Sequence, residues 1–243
     1  MLITSLDNEN VKKWKKLCKK KYRDEYGIYL VEGEHLVEEA YKSGVLDKVL
    51  VLDGENYSYE NIIYVSYEVM KAISSLDTPN KIMGVCKKKD SCELIGKRFL
   101  LLDEIQDPGN LGTIIRSAVA FNIDTIIMSN NTVDLYNPKV LRSTQGMIFH
   151  TNIINYDLID AISILKGMGI TVYGTDVNNG IDVGYLNNTE KSSFALVMGN
   201  EGNGVSREVK ELCDKNLYIK MNDKVESLNV GIAASILLYE LGR

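Results

Sequence analysis

Two histidines and four cysteines are all that 243 residues offer toward a soft-metal site. The cysteines (Cys18, Cys86, Cys92 and Cys213) form no C-x-x-C pair. This poverty argues against zinc and against a disulfide framework, and it fits a reduced compartment. The N-terminus "MLITSLDNEN" lacks the basic-then-apolar pattern of a signal peptide, and no apolar run is long enough to cross a bilayer. The expectation is a cytoplasmic protein with no membrane contact and no metal. Heptads, repeats and low-complexity tracts are absent as well. A composition of 45% hydrophobic and 25% charged residues is that of an ordinary globular chain, long enough for one large domain or two small ones.

Positive charge is also scarce, with a net charge of −5 that argues against a general polyanion binder. The distribution says more than the total. Residues 1–100 balance at +1 and the remainder at −6. Much of the positive charge sits in "VKKWKKLCKKKYR" (Val11–Arg23), with eight basic residues and no acidic one. Val11, Trp14, Leu17 and Cys18 fall on one helical face of this run, and lysines cover the rest. Two readings stay open: a solvated face docked by its apolar stripe, or a patch contacting nucleic-acid phosphates through Lys13, Lys16 and Lys20.

What is abundant is alternation. Apolar, β-branched runs alternate with helical patterns, which predicts α/β architecture. Helices are expected at Asn10–Arg23, Glu34–Ser43 and Tyr67–Ser74, with strands at Ile28–Val31, Lys48–Leu52, Ile62–Val65 and Ile82–Cys86. A first α/β domain over residues 1–90 and a linker at 91–98 precede a second domain, 99–243. That domain reads as strand Phe99–Asp103, helix Leu111–Phe121, strand Thr125–Met128, helix Pro138–Thr144 and strand Thr151–Ile154. Helix Leu158–Met168 and strands Thr171–Thr175 and Phe194–Met198 follow. Helix Arg207–Leu212, strand Leu217–Ile219 and helix Asn229–Leu241 complete it. The last helix is apolar almost all round, which predicts burial on every side and a place in a subunit interface. Parallel sheets bind ligands at the carboxyl ends of their strands, so the polar loops after Asp103, Thr175, Met198 and Ile219 are the ones to examine.

Three stretches at those loops carry chemistry. "DPGNLGTIIRSAVAF" makes a sharp polar turn and then a helix whose apolar face is Leu111, Ile114, Ile115, Ala118 and Phe121, with Arg116 opposite. "VMGNEGNGVS" is glycine-rich but has no lysine after its glycines and carries Glu201 at its centre. A carboxylate there suits a hydroxyl, an amine or a cation better than a phosphate. "IKMNDKVESLNVGIAAS" ends a polar loop in Ser227-Leu228-Asn229, either of whose polar residues could also be a plain helix cap. Each stretch alone admits a bland reading: an exposed arginine, a surface turn, an N-cap.

Taken in order, the three resemble the sequence motifs of the SpoU/TrmH family of RNA ribose 2′-O-methyltransferases, within the SPOUT superfamily. "NPKVLRSTQGMIFH" is similar to the family's segment between the first two motifs. The N-terminal "NENVKKWKKL…YLVEGEHLVEEAYKSGVLDKVLV" resembles the small α/β substrate-binding domain of many members. The resemblance implies a parallel-sheet catalytic domain with a C-terminal trefoil knot, a homodimer formed around the C-terminal helix, and S-adenosylmethionine as cofactor. It implies catalytic roles for Asn110, Arg116, Glu201, Ser227 and Asn229. It assigns cofactor contacts, largely through backbone groups, to Thr175, Gly199, Asn200, Gly202, Ile219, Met221, Leu228 and Asn229. Lys220 stands where members carry Pro, and Asp223 where they carry Gly; the Ser-Leu-Asn core is retained.

The expected function is S-adenosylmethionine-dependent methylation of a ribose 2′-hydroxyl in structured RNA, with 23S rRNA ahead of tRNA. A non-catalytic RNA-binding protein keeping the fold is the alternative, disfavoured by the intact polar residues of the motifs. A nicotinamide-dependent dehydrogenase would want G-x-G-x-x-G after the first strand, where this chain has D-P-G-N-L-G. With a sulfonium donor no metal is needed. Arginine, with a pKa above about 12, is expected to act on the hydroxyl by charge and not as a base.

Overall fold

Asn8 opens the first helix by accepting the Asn10 N–H at 2.9 Å, which satisfies one of the donors that every helix start leaves unpaired. The computed structural model describes residues 2–89, 93–177 and 179–242, so Cys92 and the first residues of the expected linker lie outside the described residues. Two units emerge: Met1–Asp90 with Asp134–Phe149, and Ser91–Val133 with His150–Arg243.

In the first unit the order is β1 (Leu2–Ile3), α1 (Glu9–Lys16), α2 (Lys20–Tyr26), β2 (Ile28–Glu32), α3 (Glu34–Lys42), β3 (Leu46–Leu52), β4 (Ile62–Val65), α4 (Tyr67–Ile73) and β5 (Ile82–Lys87). The sheet runs β1-β4-β3-β5-β2, parallel at β1–β4–β3 and antiparallel on both sides of β5. Trp14, Leu17, Leu50, Val69 and Met70 form its core on one side.

The single helix expected over Asn10–Arg23 is in fact two, α1 and α2. Arg23, buried at 4% exposure, donates from Nη1 to the Leu17 carbonyl at 2.6 Å and from Nη2 to Asp134 at 2.5 Å. The local lysine pattern carries no trace of a partner 111 residues away. Val11, Trp14 and Leu17 are buried as the apolar stripe requires, whereas Cys18 is exposed because it falls in the break.

The second unit continues with β6 (Arg98–Leu102), α5 (Pro108–Ala120) and β7 (Thr125–Met128); α6 (Pro138–Thr144) groups with the first unit. Then come β8 (Asn152–Asn155), α7 (Leu158–Gly167), β9 (Thr171–Thr175), β10 (Ile181–Asp182), α8 (Asn188–Ser192), β11 (Phe194–Met198), α9 (Arg207–Glu211), β12 (Lys215–Tyr218) and α10 (Val230–Gly242). The seven strands are ordered β10-β12-β9-β11-β6-β7-β8, with every pairing parallel. Strands β7 and β11 are buried along their whole length, as a sheet covered on both faces requires. The central order β11-β6 brings the loop after β11 beside the turn after β6. That neighbourhood builds the site.

One expectation about α10 fails. Ala234, Leu237, Leu238 and Leu241 are buried, but Ile232 (52%), Ile236 (36%) and Tyr239 (51%) are exposed. The helix packs on α5, where the Ser117 and Ser235 hydroxyls lie 2.7 Å apart. Gly231 permits that approach: a Cβ there would lie 3.2 Å from the Thr113 methyl. Contact on one side leaves Ile232 and Ile236 exposed, whereas the half-exposed Tyr239 ring meets the Phe121 ring edge-on.

Candidate active site

The turn after β6 is set by Asp107, whose carboxylate accepts the Asn110 N–H at 2.9 Å, and by Pro108, which needs no donor at the first helical position. Helix α5 then buries Leu111, Ile114, Ile115 and Ala118 and exposes Arg116. Across from it, the loop after β11 closes on itself. Asn200 and Gly204 exchange two backbone hydrogen bonds at 2.9 Å, and the Asn200 side chain accepts the Gly202 and Asn203 N–H groups. Gly199 has no room for a side chain, because a Cβ would sit 2.1 Å from the Gly204 carbonyl carbon and the Val205 nitrogen.

Glu201 projects from this closed loop onto the start of α5. Its Oε1 accepts from Asn110 Nδ2 at 2.9 Å and from the Asp107 N–H at 3.0 Å, and its Oε2 from the Gln106 N–H at 3.1 Å. Burial pushes the carboxyl's pKa up, but the hydrogen bonds from Asn110, Asp107 and Gln106 outweigh it and hold the group below its ordinary value. A carboxylate so held is a weak proton acceptor.

The chain of contacts continues. Asn110 Oδ1 accepts from Asn229 Nδ2 at 2.8 Å, and Asn229 Oδ1 accepts the Gly231 N–H at 2.9 Å and the Ile232 N–H at 3.3 Å. The two ends fix every orientation between them. Backbone donors at α10 demand the Asn229 oxygen, and the acceptor-only carboxylate of Glu201 demands the Asn110 amide nitrogen. Asn229 is therefore both the cap of α10 and a link to the turn before α5.

A cavity of about 380 Å³ lies along the strand ends. Of the residues expected at a cofactor, Thr175, Gly199, Asn200, Gly202, Ile219, Met221 and Leu228 line it; Asn229 does not. Ser227 and Glu201 line it too, whereas Asn110 and Arg116 do not. Ser227 makes no hydrogen bond to Asn110, Glu201 or Asn229. Arg116 stands ~9 Å along α5 from Asn110, by helical rise, and has no hydrogen-bond or ion-pair partner among the described residues. The structure thus joins three of the five expected catalytic residues in one network, places Ser227 on the cavity wall, and leaves Arg116 exposed on α5.

Sequence reasoning missed several residues. Gln106 donates its N–H to Glu201 and its side-chain amide to the Glu104 and Asn131 carbonyls. Asp176 and Lys210 form an ion pair on the cavity wall, and Glu226 lines it. Lys210 sits in the last turn of the short helix α9 and Gln106 in the loop after β6, with no pattern to flag either. In the first unit, Lys13, Lys16 and Lys20 are all exposed. Among the described residues no group of three or more His, Cys, Asp or Glu could hold a metal ion, and no helix is long and apolar enough to cross a membrane.

Residues 97–239 match the SpoU rRNA Methylase family and residues 8–84 an MRM3-like substrate binding domain. The chain is 40% identical to the 23S rRNA (guanosine(2553)-2′-O)-methyltransferase RlmP of Bacillus subtilis, with 98% of each chain covered. Among solved structures, an AdoMet-bound rRNA methyltransferase from Sinorhizobium meliloti superposes with a TM-score of 0.87 at 28% identity, covering 99% of this chain and 97% of that one. The SpoU methyltransferase AviRb from Streptomyces viridochromogenes, in complex with AdoMet, gives 0.87 at 25% identity with 97% of each covered. With its three loops, its parallel sheet and a family match over more than half its length, the chain belongs to the SpoU rRNA methylase family.

Proposed function

We propose that this protein transfers a methyl group from S-adenosylmethionine to a ribose 2′-hydroxyl of 23S rRNA. The observation that carries the reading is the hydrogen-bonded chain Asn229–Asn110–Glu201, set beside a cavity of nucleoside size. The activity named for the Bacillus subtilis relative, at 40% identity over almost the whole length, supports the same reaction and substrate.

The cavity fits the cofactor on its own terms. At about 380 Å³ it falls in the range of small-molecule sites, ~300–1,000 Å³. Met198, Ile219, Leu228 and Leu237 offer apolar walls for a base, and the tight Gly199 turn presents backbone groups. Asp176, Glu201 and Glu226 face one lysine, Lys210, so the lining is net acidic. That balance suits a sulfonium and repels phosphates. When bound, S-adenosylmethionine supplies a methyl group already activated by the positive sulfur.

The chain's own residues do the rest. Glu201 anchors the turn before α5 by three donors, and Asn229 ties the same turn to α10, so acceptor and donor regions are held in one frame; such positioning supplies much of a transfer's rate. Arg116, exposed and unpaired among the described residues, holds the phosphate beside the acceptor ribose and stabilises the alkoxide that develops as the 2′-hydroxyl proton passes to solvent water. Its guanidinium is no base. Ser227 on the cavity wall contacts the transfer end of the site.

The same reading extends to assembly. Residues 1–90 present RNA through Lys13, Lys16 and Lys20, a linker at 91–98 follows, and residues 99–243 catalyse. The stripe Ile232–Ile236 on α10 is covered by the same face of a second copy, giving a homodimer. The C-terminal part is threaded as in a trefoil knot; α10 follows β12 yet packs on α5, beyond β9 and β11 in the sheet, which supports this. Acting on rRNA, the protein works in the cytoplasm.

The test is direct. The chain is incubated with methyl-labelled S-adenosylmethionine and either 23S rRNA or tRNA, and nucleosides are identified by mass spectrometry. A 2′-O-methyl nucleoside formed in 23S rRNA is expected. Methyl transfer to a base, or to tRNA alone, overturns the reading.

A further inference from the structure

Had α1 and α2 run on as one helix, Lys13 and Tyr26 would stand ~20 Å apart, thirteen residues at 1.5 Å each. The break after Lys16 folds α2 back, and Lys13 Nζ lies 4.8 Å from the centre of the Tyr26 ring. Lys16 Nζ lies 5.3 Å and Lys21 Nζ 5.9 Å from the centre of the Tyr22 ring. The two rings stack, 5.9 Å apart with planes at 28°. All three lysines are within cation–π reach. The fold-back is secured from beneath by Arg23, which binds the end of α1 and Asp134, and by buried Trp14 and Leu17.

The surrounding charges are equally specific. Lys12, at the start of the run, pairs with Asp7 and Glu9. Lys13, Lys16, Lys20 and Lys21 have no carboxylate within ion-pair distance among the described residues. Their ammonium groups rest on aromatic rings or face solvent. A free lysine loses considerable rotamer freedom when it grips a phosphate. A ring beneath the ammonium removes part of that freedom in advance and leaves the N–H donors directed outward.

From this geometry we infer that Tyr22 and Tyr26 are positioning residues for RNA: their stacked rings hold Lys16 and Lys13 side by side as a two-rung ladder for neighbouring phosphates of one strand. The inference rests on the proposed RNA contact of the lysine-rich face. It extends that contact by giving two uncharged side chains a share in an electrostatic grip. It also separates this patch from a merely solvated lysine face, whose ammoniums would be independent of any ring.

A double-mutant cycle on the full chain tests it, read by fluorescence anisotropy of a labelled oligouridylate over a series of salt concentrations. Lys16→Gln is expected to weaken binding and flatten the log–log salt slope by roughly 0.7, the value of one single-strand phosphate contact. Tyr22→Leu leaves every charge in place, yet it is expected to weaken binding about two- to fivefold and flatten the slope in the same direction. Added to Lys16→Gln, it should cost little more, because the two changes remove one interaction. Tyr22→Phe keeps the ring and is expected to bind as the wild type does. Tyr26→Leu with Lys13→Gln repeats the cycle; because Tyr26 also packs on the first unit's core, thermal melting confirms that each variant is folded.

Wild-type binding by Tyr22→Leu overturns the inference. So does a loss that leaves the salt slope unchanged or adds fully to that of Lys16→Gln, since the ring would then act alone, as a stacking surface for a base. If Lys16→Gln and Lys13→Gln change neither affinity nor slope, the phosphate contact on α1 falls too, and the reading beneath the inference falls with it.

Discussion

At the residue scale the decisive feature is that three polar side chains from three distant motifs fix one another's orientation. Asn229 is the link that permits the sharpest dissection. Asn229→Asp keeps the oxygen that caps α10 and favours the helix dipole, but it removes the donor to Asn110. Stability should hold, while turnover falls by the equivalent of one hydrogen bond in a solvent-exposed network, ~0.5–1.5 kcal/mol or roughly 2- to 13-fold. Melting and single-turnover methylation on the same sample check both halves. Glu201 gives a pH signature. Its folded-state pKa is depressed, so its stabilising effect is complete above the unfolded carboxyl value, about 4.3, and is lost as pH falls through the lower folded value. The melting difference between wild type and Glu201→Gln should therefore be constant near neutrality and vanish in acid. A difference that grows on acidification would show that the hydrogen bonds at Glu201 do not favour its ionised form.

Arg116 belongs to the same scale, and its exposure sharpens the expectation. Nothing in the described structure leans on its guanidinium, so Arg116→Ala should leave folding and cofactor binding unchanged while most methyl transfer disappears. Arg116→Lys retains charge without the planar fork and should recover little. Full activity of Arg116→Ala would return it to the exposed arginine that helical periodicity alone permits. The three motifs made Asn110, Glu201 and Asn229 legible as residue types. Their mutual bonding was not legible, because a linear pattern cannot show that residues 91 and 119 positions apart share one network.

At the scale of elements, local periodicity performed well where the partner is a sheet and poorly where it is a single side chain or another molecule. Strands Ile62–Val65, Thr125–Met128, Thr171–Thr175 and Phe194–Met198 stand where alternation and apolar runs predict. The lysine-rich helix does not, because one buried arginine and Asp134 impose a turn that the intervening sequence does not announce. Short β1, β10 and α8 escaped notice because two to five residues carry no readable period. Helix α10 shows the limit most usefully. Its apolar composition is explained in part by α5 and the core, but not at Ile232 and Ile236, which stay exposed among the described residues. The structure therefore splits two substitutions that look equivalent in sequence. Ile236→Lys, on the exposed stripe, should dissociate the proposed dimer and leave the fold intact; Leu237→Lys, at 2% exposure, should unfold the chain. Light scattering and melting of both variants decide it, and a wild-type chain that is monomeric at micromolar concentration refutes the dimer.

For the whole molecule, the α/β class could be read from alternation, and the family from three ordered motifs. The path of the chain between the two units could not. Asp134–Phe149 leaves the second unit after β7, groups with the first, and returns before β8. That excursion is held by Asp134 on Arg23 and by Arg142 on Ser75, contacts between segments more than sixty residues apart. The central claim is that one such molecule methylates one ribose oxygen in 23S rRNA, with Arg116 at the acceptor. The most direct measurement maps 2′-O-methylation across 23S rRNA from cells lacking the gene, complemented with either the wild-type chain or Arg116→Ala. The account predicts one ribose methyl lost on deletion, restored by the wild type and not by Arg116→Ala; an unchanged methylation map after deletion, or full restoration by Arg116→Ala, would contradict it.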